Sequence, residues 1–187
     1  MKKLMATTAI ALAWAITPLA ASAVTLTPAP PAGATCESSP QETVCKWDEH
    51  FATPFPVPYG VSCGSFTVRV NLAGERDVTA FYDENGLLVR RTLHSSYVRT
   101  LINSATGAAV PHRGRFTIFD DLSAGTRTIT GMLSRTVING DGLVWRNIGR
   151  IVISLQNGSV LFEAGEHGTW DVVTDPGVAA ELCAALS

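Results

Sequence analysis

Phe66-Thr67-Val68-Arg69-Val70-Asn71-Leu72 alternates apolar and polar side chains without a break. Period two places Phe66, Val68, Val70 and Leu72 on one side of an extended chain and Thr67, Arg69 and Asn71 on the other, as in a strand with one buried face. C-terminal to it, turn-forming clusters recur at Glu84-Asn85-Gly86, Ser104-Ala105-Thr106-Gly107, Ser123-Ala124-Gly125, Asn139-Gly140-Asp141-Gly142 and Gln156-Asn157-Gly158. Asn-Gly pairs supply the positive φ angles that tight hairpins need. Counting from Gly86, the last glycines of successive turns lie 21, 18, 17 and 16 residues apart. Long strands joined by short hairpins make an antiparallel up-and-down meander of about seven strands.

Two later segments keep the alternation: Ile129, Leu133 and Val137 share a side, and so do Leu143, Trp145, Ile151, Ile153 and Leu155. Long strands without covering helices must bury their apolar faces against one another, and curling into a barrel or half-barrel does this while hiding the edges. A two-sheet sandwich is the alternative, but its turns come about every 8 to 12 residues. Near the end, Asp175-Pro176 precedes Val178, Ala179, Leu182, Ala184 and Leu186. Asp is a good N-cap and Pro a good first helical residue, so a short C-terminal helix is expected. The predicted fold over residues 59–187 is all-β: a long-stranded antiparallel up-and-down meander, curled into a barrel or half-barrel, with that helix.

Upstream, Val24 to Pro58 holds seven of the ten prolines. Proline fixes φ and removes a backbone donor, so residues 24–58 read as an extended arm outside a sheet interior. Further upstream, Lys2 and Lys3 precede an apolar run from Leu4 to Leu19 that ends in Ala21-Ser22-Ala23. That order of charged, apolar and small residues is a cleavable secretory signal over residues 1–23. The alternative, a retained anchor, fits less well, because Thr7, Thr8, Thr17 and Pro18 interrupt a run already short for a bilayer. Cys36 is too far from the cleavage point to carry a lipid. Removing 23 of 187 residues leaves 164, and losing Lys2 and Lys3 takes the formal charge from -2 to -4.

Hydrophobic residues make up 46% and charged residues 16% of the chain, a balance that can bury a core and does not fit disorder. With 14 Lys and Arg against 16 Asp and Glu, no broad electrostatic hold on nucleic acid is expected. No apolar stretch after residue 23 reaches membrane-spanning length.

Four cysteines in an exported chain read as two disulfides. Cys36 and Cys45 flank Glu37-Ser38-Ser39-Pro40, which can turn the chain back locally. Cys63 opens the first strand and Cys183 lies on the terminal helix, so the expected pairs are Cys36–Cys45 and Cys63–Cys183, one of three possible connectivities.

The segment Cys63-Gly64-Ser65-Phe66-Thr67-Val68-Arg69-Val70, the turn Asn103-Ser104-Ala105-Thr106-Gly107 and the ending Glu181-Leu182-Cys183-Ala184-Ala185-Leu186 resemble a family of small exported actinobacterial β-rich proteins of unknown function. The resemblance covers roughly residues 59–187 and implies export, but no activity, substrate or site. The arm with Cys36 and Cys45 departs from the family pattern.

No local motif assigns chemistry. Gly64-Ser65 and Gly158-Ser159 lack a nucleophile elbow, and His50, His94, His112 and His167 give no order that singles out a base. Glu163, Glu166 and His167, and likewise Asp48, Glu49 and His50, could contribute metal ligands, but neither set is complete. Asp120-Asp121, before a turn, reads as solvated. No catalytic residue, metal ligand set or cofactor is assigned.

The segment after Gly86 is the anomaly. Leu87, Val89, Leu93, Tyr97 and Leu101 have core parity, yet Arg91, Ser95 and Arg99 interrupt the same face, while Arg90, Thr92, His94 and Ser96 make the other face polar too. An edge strand or a parity-resetting bulge would explain this. The functional alternative places Arg91, Tyr97 and Arg99 in a cavity facing an anionic or polar ligand group, because an unpaired buried guanidinium is very costly. The sequence therefore points to an exported, disulfide-stabilised β-domain that binds a small or lipidic ligand, or an envelope component, without catalysis. A barrel-mouth hydrolase or isomerase and a ligand-free structural envelope module are the alternatives.

Overall fold

The computed structural model describes residues 24–138, 142–167 and 176–187. Its elements are β1 (Thr35–Ser38), β2 (Glu42–Ala52), β3 (Val57–Ser62), β4 (Thr67–Asp83), β5 (Leu88–Asn103), β6 (Ala109–Asp121), β7 (Thr126–Ile138), β8 (Gly142–Ser154), β9 (Val160–His167) and α1 (Pro176–Leu186). The nine strands form one antiparallel sheet in the order β1-β2-β4-β5-β6-β7-β8-β9, with β3 paired to β4 as well. The sheet is curled but not closed. The turns at residues 84–86, 104–107, 123–125 and 156–158 fall where the sequence places them, and the one at Asn139–Asp141 lies outside the described residues.

Residues 24–58 do more than form an arm. β2 pairs with β4 over eleven residues, from Glu42–Asp83 to Ala52–Ala73, and β1 adds to the free side of β2. The prolines punctuate this addition without preventing it: Pro40 sits in the β1–β2 turn, Pro54 and Pro56 between β2 and β3, and Pro58 within β3. The remaining stretch, Val24 to Pro28, straps the β4–β5 turn. Thr27 N–H donates to the Gly86 carbonyl at 2.8 Å, Leu88 N–H donates to Thr27 O at 3.0 Å, and the Tyr82 hydroxyl donates to Pro28 O at 3.0 Å.

Two buried clusters hold the ends of the sheet. At one end Leu182 and Leu186 of α1 pack on Val61, Phe66, Val68, Val70, Leu101 and Val110. These include three apolar members of the Phe66–Leu72 stretch, so period two does select the buried face. Asn103 joins helix to hairpin: its Nδ2 donates to Leu186 O at 2.9 Å, and its Oδ1 accepts from Ala105 N–H at 2.7 Å. That satisfies one of the carbonyls a helix leaves without a partner at its C-terminus. At the other end Cys45, Ala80 and Tyr82 pack with Leu26, Trp47 and Leu88. The disulfides are Cys36–Cys45, a directly opposed cross-strand pair, and Cys63–Cys183, which ties α1 to the loop before β4.

Two sequence expectations change. β5 is not an edge strand: it pairs with β4 on one side and β6 on the other along nearly its whole length. A register shift against β4 at Val89 does reset parity, so Leu88 packs beside Tyr82 while the odd positions from Arg91 onward turn to that same buried face. The alternation in β7 is broken at Leu133, where the register shifts between Met132 and Ser134. This bulge resets parity, so Thr136, and not Arg135, stands opposite His112. Nearby, Gly131 adopts φ 128°, and a Cβ there would lie 2.9 Å from Arg115 O. Only glycine suits that backbone, and it lets β7 bend at the bulge.

Candidate functional site

The inner face of β5 carries Arg91, Leu93, Ser95, Tyr97, Arg99 and Leu101 in sequence. Arg91 stands opposite Asp120 of β6, which stands opposite Arg127 of β7. The Asp120 side chain is 1% exposed. Its carboxylate accepts from Arg91 Nη2 at 2.8 Å, from Arg127 Nε at 2.6 Å and from Arg127 Nη2 at 3.0 Å. Burial alone would raise its pKa, but hydrogen bonds and charge from Arg127 and Arg91 outweigh this and hold the carboxyl below its usual range. Asp120 is thus not solvated, in contrast to the expectation from Asp120-Asp121. Asp121 does meet the turn, accepting from Ala124 N–H at 2.8 Å.

Arg91 and Arg99 do not converge. Eight residues of extended chain put them about 26 Å apart, too far to grip one small head group. Tyr97 and Arg99 do meet: the guanidinium lies over the Tyr97 ring, 5.1 Å from its centroid, and Nη1 donates to the Tyr59 hydroxyl at 3.5 Å. Next to them, Tyr97 O–H donates to Leu133 O at 2.7 Å, at the bulge, and its oxygen is 3.3 Å from His112 Nε2. Because the phenol proton is committed to Leu133, Nε2 of His112 carries the hydrogen. Nδ1 then accepts from the Thr136 hydroxyl at 2.7 Å.

Burial, aided by the charge of Arg99, lowers the His112 pKa to about 4, so the imidazole is neutral near pH 7. Burial likewise raises the Tyr97 phenol against the opposing pull of Arg99. With both ring nitrogens engaged and protonation delayed to such low pH, His112 is poorly placed to act as a general base. It acts as a spacer that holds Tyr97 and Thr136.

The chain matches no protein-family model, and no curated protein or solved structure is found similar to it.

Among the described residues no three His, Cys, Asp or Glu side chains approach closely enough to hold a metal. Glu49 accepts from the Trp47 indole at 2.9 Å, and Glu166 accepts from Arg146 Nε at 2.6 Å. The contrast that matters is between the two inner cations of β5. Arg91 shares a buried carboxylate, whereas Arg99, half-buried, has no carboxylate within ion-pair distance among the described residues. Sequence reading missed Asp120, His112 and Thr136. For Asp120 the signal was present, because a hairpin turn at residues 104–107 sets positions 91 and 120 opposite each other.

The depressed His112 pKa carries a pH consequence. The unfolded chain takes up a proton near pH 6.5 while the folded chain waits until about 4. The stability linked to this group is therefore complete above 6.5 and drains as the pH falls towards 4. Urea unfolding at pH 5 should give a free energy about 2 kcal/mol lower than at pH 7 through this site. His112→Asn should flatten that slope, and an unchanged slope in the variant would place the titration elsewhere.

Proposed function

We propose that the protein is an exported β-domain that binds a small anionic or lipidic ligand on its inner face at Arg99, without catalysis. The observation that carries the reading is the guanidinium of Arg99: half-buried between the Tyr97 ring and the Tyr59 hydroxyl, and not neutralised by a carboxylate. A cation held in a partly desolvated place by aromatic groups interacts strongly with an incoming anion. Arg91, already paired with Asp120, serves to bind strands together. Export is supported by the two disulfides, which form where the environment is oxidising. The order Lys2-Lys3, apolar run, Ala21-Ser22-Ala23 and the resemblance to small exported actinobacterial proteins point the same way.

One measurement tests both parts. Native mass spectrometry of protein recovered from the culture medium should show a chain beginning at Val24 with a co-purifying anionic mass. Arg99→Leu should lose that ligand at least tenfold, about 1.4 kcal/mol, while keeping its fold. Apo protein from both wild type and variant would defeat the binding reading, and a mature chain retaining residues 1–23 would defeat the export reading.

A further inference from the structure

The outer face carries a site of different chemistry. Where β4, β5, β6 and β7 cross the bend at Gly131, the sheet leaves a groove of about 660 Å³ between Asp77, His94, Thr117, Thr130 and Arg115. A second depression of about 440 Å³ adjoins it through Glu75, Ser96 and Arg115, and is lined beyond them by Ala73, Val98 and Met132 together with His50, Tyr97 and Arg113.

Within the polar half the neighbours are largely satisfied. Ser96 Oγ donates to Glu75 Oε1 at 3.1 Å, and His94 Nδ1 lies 3.0 Å from Thr117 Oγ1. Two charges are not: the exposed Asp77 carboxylate and the exposed Arg115 guanidinium have no hydrogen-bond or ion-pair partner among the described residues. Asp77 stands opposite His94 and Arg115 opposite Ser96, so these opposite charges sit two strands and one diagonal apart, about 12 Å between Cα atoms. They face one groove and do not reach each other.

We propose that this groove binds a zwitterionic amino acid with an apolar side chain. Its ammonium group would meet Asp77, with Glu75 beside it, and its carboxylate would meet Arg115, which can grip it in bidentate fashion. Its side chain would lie in the adjoining depression against Val98 and Met132. A ligand carrying both charges bridges the gap that the protein's own side chains leave open. A simple anion would be repelled by Glu75 and Asp77, and a simple amine by Arg115. The charged groove shares no lining residue with the Arg99 site, whose Tyr97 borders only the adjoining depression, and the proposal does not depend on the reading of Arg99.

Leucine, leucinamide and N-acetylleucine discriminate between the possibilities when titrated into the chain from Val24 to Ser187, with calorimetry and backbone amide shifts as readouts. Leucine should bind and shift the amides of Asp77, His94 and Arg115. Leucinamide, which lacks the carboxylate, and N-acetylleucine, which lacks the ammonium, should each bind at least tenfold more weakly. Asp77→Asn and Arg115→Gln, both on the exposed face, should each weaken leucine at least tenfold, while Arg99→Leu should leave it within about twofold. The proposal is overturned if leucine at about 10 mM shifts no groove amide, if either derivative binds as tightly as leucine, or if Arg99→Leu abolishes leucine binding.

Discussion

Replacing Cys63 and Cys183 together by alanine is expected to lower the unfolding free energy by about 4 to 5 kcal/mol and the melting temperature by about 10 °C or more. The bridge spans a sequence separation of 120 residues, so cutting it returns a large loop entropy to the unfolded chain. It also holds α1, whose Leu182 and Leu186 are fully buried against β4, β5 and β6. Losing the bond frees the helix that covers this end of the sheet. The Cys36–Cys45 bridge is the internal control. Its separation is 9 residues, so the same model gives only about 2.5 to 3 kcal/mol for the corresponding double alanine variant. Chemical denaturation of the two variants side by side decides the matter, and a larger loss from Cys36 and Cys45 would mean that loop entropy does not govern this fold.

The second large effect is expected at Asp120. Asp120→Ala leaves Arg91 and Arg127 facing each other across β6 with no carboxylate between them. Breaking a buried ion pair costs about 3 to 5 kcal/mol, and here the lower figure applies because both guanidiniums stay about one-third exposed. The acid profile separates this site from His112. Because the folded Asp120 pKa is depressed, its contribution is present above the unfolded carboxyl pKa, near 4, and is lost as the pH falls through the lower folded value. The His112 contribution drains earlier, between pH 6.5 and about 4. Acid unfolding of the wild type should therefore steepen in two stages. Asp120→Ala should remove the lower stage and leave the upper one; loss of the upper stage instead would reassign the groups.

Most of the strand plan was legible because hairpins are local. The Phe66–Leu72 alternation and the turns at Gly86, Gly107, Gly125 and Gly158 need only period-two sterics and positive-φ glycines. The cysteine pairs were legible for a related reason, since a local turn and a chain end leave few sensible partners. The inner polar groups were hidden. Asp120 reads as a solvated turn residue until hairpin register brings Arg91 and Arg127 to it, and His112 reads as a lone imidazole until the Leu133 bulge delivers Thr136. A bulge is a one-residue choice of backbone conformation that leaves composition and periodicity nearly untouched, so the alternation of β7 looked continuous.

Alone, the sequence determined the all-β meander, its long strands, its terminal helix and its two disulfides, because each rests on contacts between neighbours in the chain or on a few cysteines. Tertiary structure decided the rest: that β2 joins the sheet despite the prolines around it, that Arg91 is paired while Arg99 is not, and that Asp77 and Arg115 face one groove. Those outcomes depend on register across several strands and on where the sheet bends. A one-residue shift there exchanges one face for the other while the sequence pattern stays the same.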